Sequence, residues 1–504
     1  MTILPLRPAE NATPEALLAF LGQCRAAAVR DGHPKLVSIS LAVDALDPLA
    51  VLESIFEPGE PHFYAERPAS ETAIAGAEIA AAHEARGANR FADVQQWVGE
   101  VIQHTIAVGD VGAPFGGPHF FAGFAFREES EDGEPFPPAY VFVPQWQVAL
   151  AGTTTTAVAN LLVTRDADLG ALAVRVWRAH QKFKRFEYQT NPESDTVVPP
   201  VGSNVLAADH ERDAHPTSQN QDHGRDAHAA TAPVFSTREA GDYRAAVASA
   251  LKRIEAGEFK KIVLARAQDL TANQPLHPLR MLNGLRQRFP DCYSFSFAHG
   301  RGPSFIGASP ERLVRVSKGT LETEALAGSS RRGATASEDA ALAGSLLRSD
   351  KDRREHREVL DDIVARLSPL GIKPEYPPVP HVRRLANVQH LDTPVRAALP
   401  DTVHVLDVLA AMHPTPAVGG SPRDAAVARI RELEGFPRGL YAGALGWLNA
   451  RGGGEFFVGI RSALVQGSSA RVFAGAGIVS GSTPEKEFAE TELKFKAMLD
   501  ALLT

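Results

Sequence analysis

SDKDRREHREVLDDIVARL, residues 349–367, and RVFAGAGIVSGSTPEKEFAETELKFKAMLDALL, residues 471–503, are the two stretches whose reading decides the fold. The first reads as a helix with Ser349 as its N-cap. The second reads as a strand that runs into a glycine turn at Gly475 and Gly477 and then a helix. Each helix carries two acids spaced i, i+3 on one face: Asp352 with Glu355, and Glu487 with Glu490. Taken singly, either pair is a solvated face. Taken together, oxygen ligands from two elements with room left for water and a substrate carboxylate suit Mg²⁺ better than a calcium cage or a zinc site.

Working outward, residues 241–256 carry apolar spacing on one helical face, and Gly257 stops the run. The strand KKIVLARAQDL follows, with Lys261 at its mouth; by itself that is a solvent-facing lysine at a strand edge. CYSFSFA and SFIGASPERLVRVS read as strands, the second broken at GASPE so that Glu311 stands at the bend, aimed into a cleft or solvated. TEALAGSSRRG, residues 323–333, reads as a turn whose backbone amides suit an anion. FFVGIRSALV reads as a strand carrying Arg461, whose fork-shaped cation is expensive to bury among apolar neighbours unless it clamps a carboxylate.

The rest of the chain sets bounds. With 504 residues, 44% hydrophobic and 22% charged, it is long enough for one large domain or two medium ones. The net charge of −8 and the lack of a basic stripe argue against nucleic acid. Cys24 and Cys292, with no CxxC spacing, indicate neither a disulfide framework nor a thiolate site. No leader pattern or long apolar run stands out, so the expected location is cytoplasmic, with no membrane partner. Residues 1–190 mix short strands with helices, without a parallel rhythm. Residues 191–236 turn polar and proline-bearing and read as a low-complexity, disordered insertion. In it DHERDAH is nearly repeated as DHGRDAH, but a flexible linker cannot fix a metal geometry with those histidines. Residues 237–504 hold the candidate chemistry.

KIVLAR, GASPERL, ALAGSSRRG, SDKDRREH, HPTPAVGG, GLYAGALGW, FFVGIRSALV and AGAGIVSGSTPEKEFAET, in this order and spacing, resemble the chorismate-utilising enzymes, and isochorismate synthases in particular. The resemblance covers about 237–504; before that it is limited to pieces such as GGPHFFAGFAF. It implies one large α+β domain, two antiparallel β-sheets with helices packed outside, around a cleft for chorismate and Mg²⁺. It implies that Lys261 is the base that activates water for attack at C2 and Glu311 the acid that protonates the departing C4 hydroxyl. A base must be unprotonated to work, and a glutamate in an apolar cleft holds its proton near neutrality. By the same resemblance, Glu355 and Glu490 bind the metal directly, Asp352 and Glu487 through water. Arg461 clamps the enolpyruvyl carboxylate, Gly328, Gly475, Gly477 and Lys494 lie near substrate and metal, and His413 is a pocket residue.

Relatives in this fold run other chemistry. Anthranilate synthases generally carry glutamine where Lys261 stands, so neither ammonia transfer nor a glutaminase subunit is expected. Aminodeoxychorismate synthases place a nucleophilic lysine at the position of Ala327. Salicylate synthases share the water-activating lysine and go on to eliminate pyruvate, and remain the alternative. A chorismate-binding regulatory protein without catalysis is the reading from another class, but it is expected to have lost one of the site residues. A monomer is the default expectation.

Overall fold

The run AYVFVPQWQVAL becomes one long strand, Ala139–Ala151, on which the sheet topology turns. In a computed structural model, which describes residues 1–4, 13–57, 59–177, 234–386 and 388–502, this strand pairs on one edge with Thr72–Ala85 over its whole length. On its other edge the first residues pair with His119–Phe124 and the last with Thr154–Val163. Two arms therefore diverge from a shared strand.

The first arm continues through His62–Arg67, Tyr293–Ala298, Ser304–Ser309, Ser462–Gln466, Ser469–Val479 and Lys261–Ala272. The second continues through Ala444–Asn449, Gly454–Val458, Arg312–Ser317, Thr320–Arg331 and Val388–Ala398. Every pairing in both arms is antiparallel. Among the described residues, parallel pairs occur only beside them, where Thr105–Gly109 lies between Thr2–Leu4 and Lys35–Val43. The two expected antiparallel sheets are thus present as arms of one hydrogen-bonded network.

Phe63, Phe121, Phe142 and Phe297 are fully buried at the fork, with Phe63 stacked on Phe121 at 4.5 Å. Each such ring contributes about 1.5–3 kcal/mol by leaving water. The helices pack outside. Asp350–Leu367 lies on the Thr320–Arg331 strand and Pro484–Leu502 on the Ser469–Val479 strand. Ser349 caps the first as expected, its side chain accepting from the Asp352 amide, and that fixes which residues occupy the opening turns.

The chain crosses between the arms twice at one seam. Going out, it leaves Ser304–Ser309, turns at Pro310 and Glu311, and enters Arg312–Ser317. Coming back, it leaves Gly454–Val458 and enters Ser462–Gln466 just after Arg461. The crossings are stitched together: the Val458 amide donates to the Glu311 carbonyl (3.1 Å) and the Ala308 amide to the Arg461 carbonyl (3.0 Å).

FFVGIRSALV is therefore two strands rather than one, and Arg461 stands at the break with φ +50°. TEALAGSSRRG is likewise strand, not turn, with a bulge at Gly328 where the register shifts between Ala327 and Ser329. The polar segment 191–236 lies outside the described residues as far as 233; the strand Phe235–Ala240 follows, pairing with Ala267–Ala272.

Candidate active site

Between the arms lies a cavity of about 160 Å³. From the first arm its wall takes Lys261, Gly475 and Gly477, from the second Ala327 and Gly328. Glu311 and Arg461 enter from the seam, and Glu355, Glu490 and Lys494 from the two helices. Seven of the residues expected at a site thus share one cavity with the two helical glutamates that reach it, Glu355 and Glu490.

Lys261 opens its strand and is 4% exposed, not the solvated edge lysine that its local sequence allows. Its Nζ donates to Glu355 Oε1 at 2.8 Å. Burial opposes ionisation of Glu355, but the charge and hydrogen bond of Lys261 prevail and hold its carboxyl below the usual range. On the other helix, Lys494 Nζ donates to Glu490 Oε1 (2.8 Å) and to the Gly475 carbonyl (2.7 Å).

Glu311 faces the same cavity. Burial and the charge of Glu324 push its carboxyl up to about 7, against the pull of Lys261 and Arg461. It therefore keeps its proton near neutrality. Beside it, Arg461 Nη1 is buried without a hydrogen-bond partner. Burial pulls the guanidinium down, and Cys292 and Glu311 offset it only in part. A buried donor aimed at a cavity without an acceptor suits a ligand carboxylate.

Gly475 and Gly477 lie inside the strand Ser469–Val479 rather than in a turn. Their role is clearance: a Cβ at Gly475 would stand 2.7 Å from Tyr441 Oη, and one at Gly477 3.0 Å from Lys261 Cε. Gly328 has φ +73°, and a Cβ there would stand 3.1 Å from that of Asp352, so helix and bulge touch directly.

The metal quartet is only half assembled. Asp352 and Glu487 do not line the cavity, and among the described residues no three of His, Cys, Asp and Glu converge closely enough to hold an ion. The donor set nevertheless fits a hard divalent cation. Burial and the neighbouring charge of Glu490 push Glu487 above the usual carboxylate range despite its bond from Ser482, which is the repulsion a cation would relieve.

His413 is a correction. It does not line the cavity but is buried against Phe91 and Phe126; the segment HPTP enters the core, and the two residues that follow it, Ala417 and Val418, reach the cavity wall. Two wall residues escape a reading of the sequence. His390 Nδ1 lies 2.8 Å from Ser329 Oγ, while its Nε2 is buried without a partner. Burial, then the charges of Arg461 and Lys494, push it down to about 3, so it is neutral. The signal lies in its cross-strand pairing with Ser329, which local sequence does not show. Tyr441 is the second, stacked on Phe473 at 4.9 Å.

Comparison with known proteins gives a consistent picture. The family model for chorismate binding enzymes matches residues 20–208 and 202–503. The chain is 35% identical over 484 residues to a salicylate biosynthesis isochorismate synthase of Pseudomonas aeruginosa, covering 93% of this chain and 90% of that protein. It is 30% identical over 492 residues to the isochorismate synthase MenF of Bacillus subtilis, covering 93% and 94%. The solved structure of MenF, the menaquinone-specific isochorismate synthase of Escherichia coli, superposes with a TM-score of 0.71 at 25% identity, over 96% of this chain and all of that one.

Proposed function

Because this chain belongs to the chorismate binding enzyme family, we propose that it is an isochorismate synthase and that the cavity at the seam is where it converts chorismate to isochorismate. The observation that carries the site assignment is Glu311, protonated near neutrality in the same cavity as the buried Lys261.

The Lys261 amine takes a proton from water as the water oxygen bonds to C2 of the ring. Glu311 gives its proton to the C4 hydroxyl as that C–O bond breaks, and the ring double bonds shift. One water enters and one leaves, so the reaction is an isomerisation, and proton exchange with solvent resets both residues. Arg461 holds a substrate carboxylate in place, which fixes C2 against the attacking water. Glu355 and Glu490, with Asp352 and Glu487 reaching through water, would hold Mg²⁺, whose bound charge neutralises a ring carboxylate.

The purified protein is incubated with chorismate and Mg²⁺, with and without EDTA, and products are identified by chromatography and mass. A metal-dependent mixture of chorismate and isochorismate, reached from either side, is expected. Accumulating salicylate and pyruvate would replace the reading with one that includes elimination, and unchanged chorismate would overturn it. Lys261→Ala is expected to abolish turnover while chorismate still binds in the presence of Mg²⁺; near-normal turnover would remove the base assignment.

A further inference from the structure

The strand that carries Lys261 is paired unequally on its two edges. One edge is matched to Ser469–Val479 from Lys261↔Val479 to Thr271↔Ser469 without interruption. The other is matched to Gly420–Ser421 only at Lys261 and Ile262, and to Phe235–Ala240 only from Ala267 onward. Between them, residues 263–266 face no strand. Backbone groups at such a buried gap must find other partners.

The Val263 amide donates to the Gly419 carbonyl at 3.1 Å, and two side chains take the Ala265 amide and the Val263 carbonyl. Glu434, the last residue of the helix Arg423–Glu434, accepts from the Ala265 amide at 2.6 Å. Arg438 Nη2 donates to the Val263 carbonyl at 2.7 Å, and its Nη1 to the Val418 carbonyl at 2.9 Å. The two are joined to each other, Arg438 Nη2 to Glu434 Oε1 at 2.5 Å and Nε to Oε2 at 3.0 Å. Their side chains are 2% and 0% exposed. Arg438 also lies over the Phe126 ring at 4.3 Å, which leaves the guanidinium no free direction.

What this pair touches is the back of the cavity. Val263 and Val418 are wall residues, Lys261 is two positions before Val263, and Tyr441, also in the wall, is three positions after Arg438. We infer that Glu434 and Arg438 act as one positioning device, a side-chain substitute for the missing strand that sets the height of the Lys261 strand against the Val418 turn. Neither residue enters the cavity, so the pair acts on the reaction only through Lys261 and the wall. Its requirement is geometric: an acceptor at the distance of Ala265 and a fork that spans two carbonyls.

The inference rests on the isochorismate synthase reading, and the assay keeps the two apart: a parent protein that leaves chorismate unchanged would sink that reading, whereas the inference is judged on variants of an active parent. Three variants are compared by kcat, KM for chorismate and near-ultraviolet circular dichroism. Glu434→Gln keeps an acceptor for Ala265 and is expected to retain kcat within about fivefold, whereas Glu434→Asp keeps the charge but withdraws the acceptor and is expected to lose about tenfold or more. Arg438→Lys keeps the ion pair but cannot reach both carbonyls, and is expected to lower kcat by about tenfold with KM within about twofold. A purely electrostatic role predicts the reverse order for the two Glu434 variants, and that order would overturn the inference. Full kcat in a folded Arg438→Lys protein, or a loss confined to KM, would overturn it as well. Should Glu434→Asp fail to fold, the kcat-to-KM split of Arg438→Lys decides alone.

Discussion

Glu311→Gln offers a test of the acid that does not depend on turnover alone. The folded protein pushes this carboxyl from 4.5 up to about 7, which at about 1.36 kcal/mol per pH unit amounts to roughly 3 kcal/mol. Below about pH 4.5 both folded and unfolded chains hold the proton, and Glu311 makes no pH-dependent difference. Between about 4.5 and 7 the unfolded chain has released it and the folded chain has not. The folded state then binds more protons than the unfolded one, so stability falls as pH rises through that window and levels off above it. Glutamine does not titrate. Whatever fixed packing cost it brings, the stability of Glu311→Gln relative to the parent should climb by roughly 2–3 kcal/mol between pH 5 and pH 8, most of it before pH 7. Urea unfolding of both proteins at four pH values, with the midpoints compared at equal m-value, reads this directly. The same variant should lose about 10²–10⁴ in kcat. A stability gap that stays flat from pH 5 to 8 would show that Glu311 is ionised in the folded protein at neutrality and is not the acid.

The other expectations concern the clamp, the clearance and the metal. Arg461→Gln should weaken chorismate binding by about 2–5 kcal/mol, because the ligand carboxylate is then buried without its cation; calorimetric titration measures this, and unchanged affinity would take Arg461 out of substrate binding. Gly477→Ala places a methyl 3.0 Å from Lys261 Cε, and the displaced amine should cost about tenfold in kcat with thermal stability nearly unchanged; an unaltered kcat would mean that the position of Lys261 is not critical. Glu490→Gln should raise the Mg²⁺ concentration for half-maximal turnover by at least about tenfold, and an unmoved titration curve would exclude it as a ligand.

How far the sequence could be read depended on whether the deciding contact was local. The helix start at Ser349, the break at Pro310 that places Glu311 at a bend, and the helical face bearing Glu487 and Glu490 are set by neighbours within a turn or two, and all three are where the sequence puts them. Arg461 sits in a run of ten residues that looks like one strand. The break there is made by the other crossing, whose backbone bonds to it from residues 308 and 311. Gly475 and Gly477 look like a turn because glycine often marks one, but here they are absent side chains, left out so that Tyr441 and Lys261 can approach. His390 and the pair of Glu434 and Arg438 become visible only when strands far apart in the chain are laid side by side. The fork itself is illegible locally, since nothing in AYVFVPQWQVAL says that one edge will serve two different partners.

That fork makes the cavity a gap between two blades rather than a pit in one wall. Lys261 and the glycines of its neighbouring strand ride on one blade, Ala327 and Gly328 on the other, and the ion pair of Lys261 with Glu355 reaches across like a latch. A molecule that touches both sides therefore acts as a wedge whose grip depends on the opening angle, and that angle is set at the pivot strand Ala139–Ala151. Substitutions there, remote from every reacting atom, would be felt as a misaligned jaw: the protein would fold and take up its substrate, yet hold base and acid at the wrong spacing.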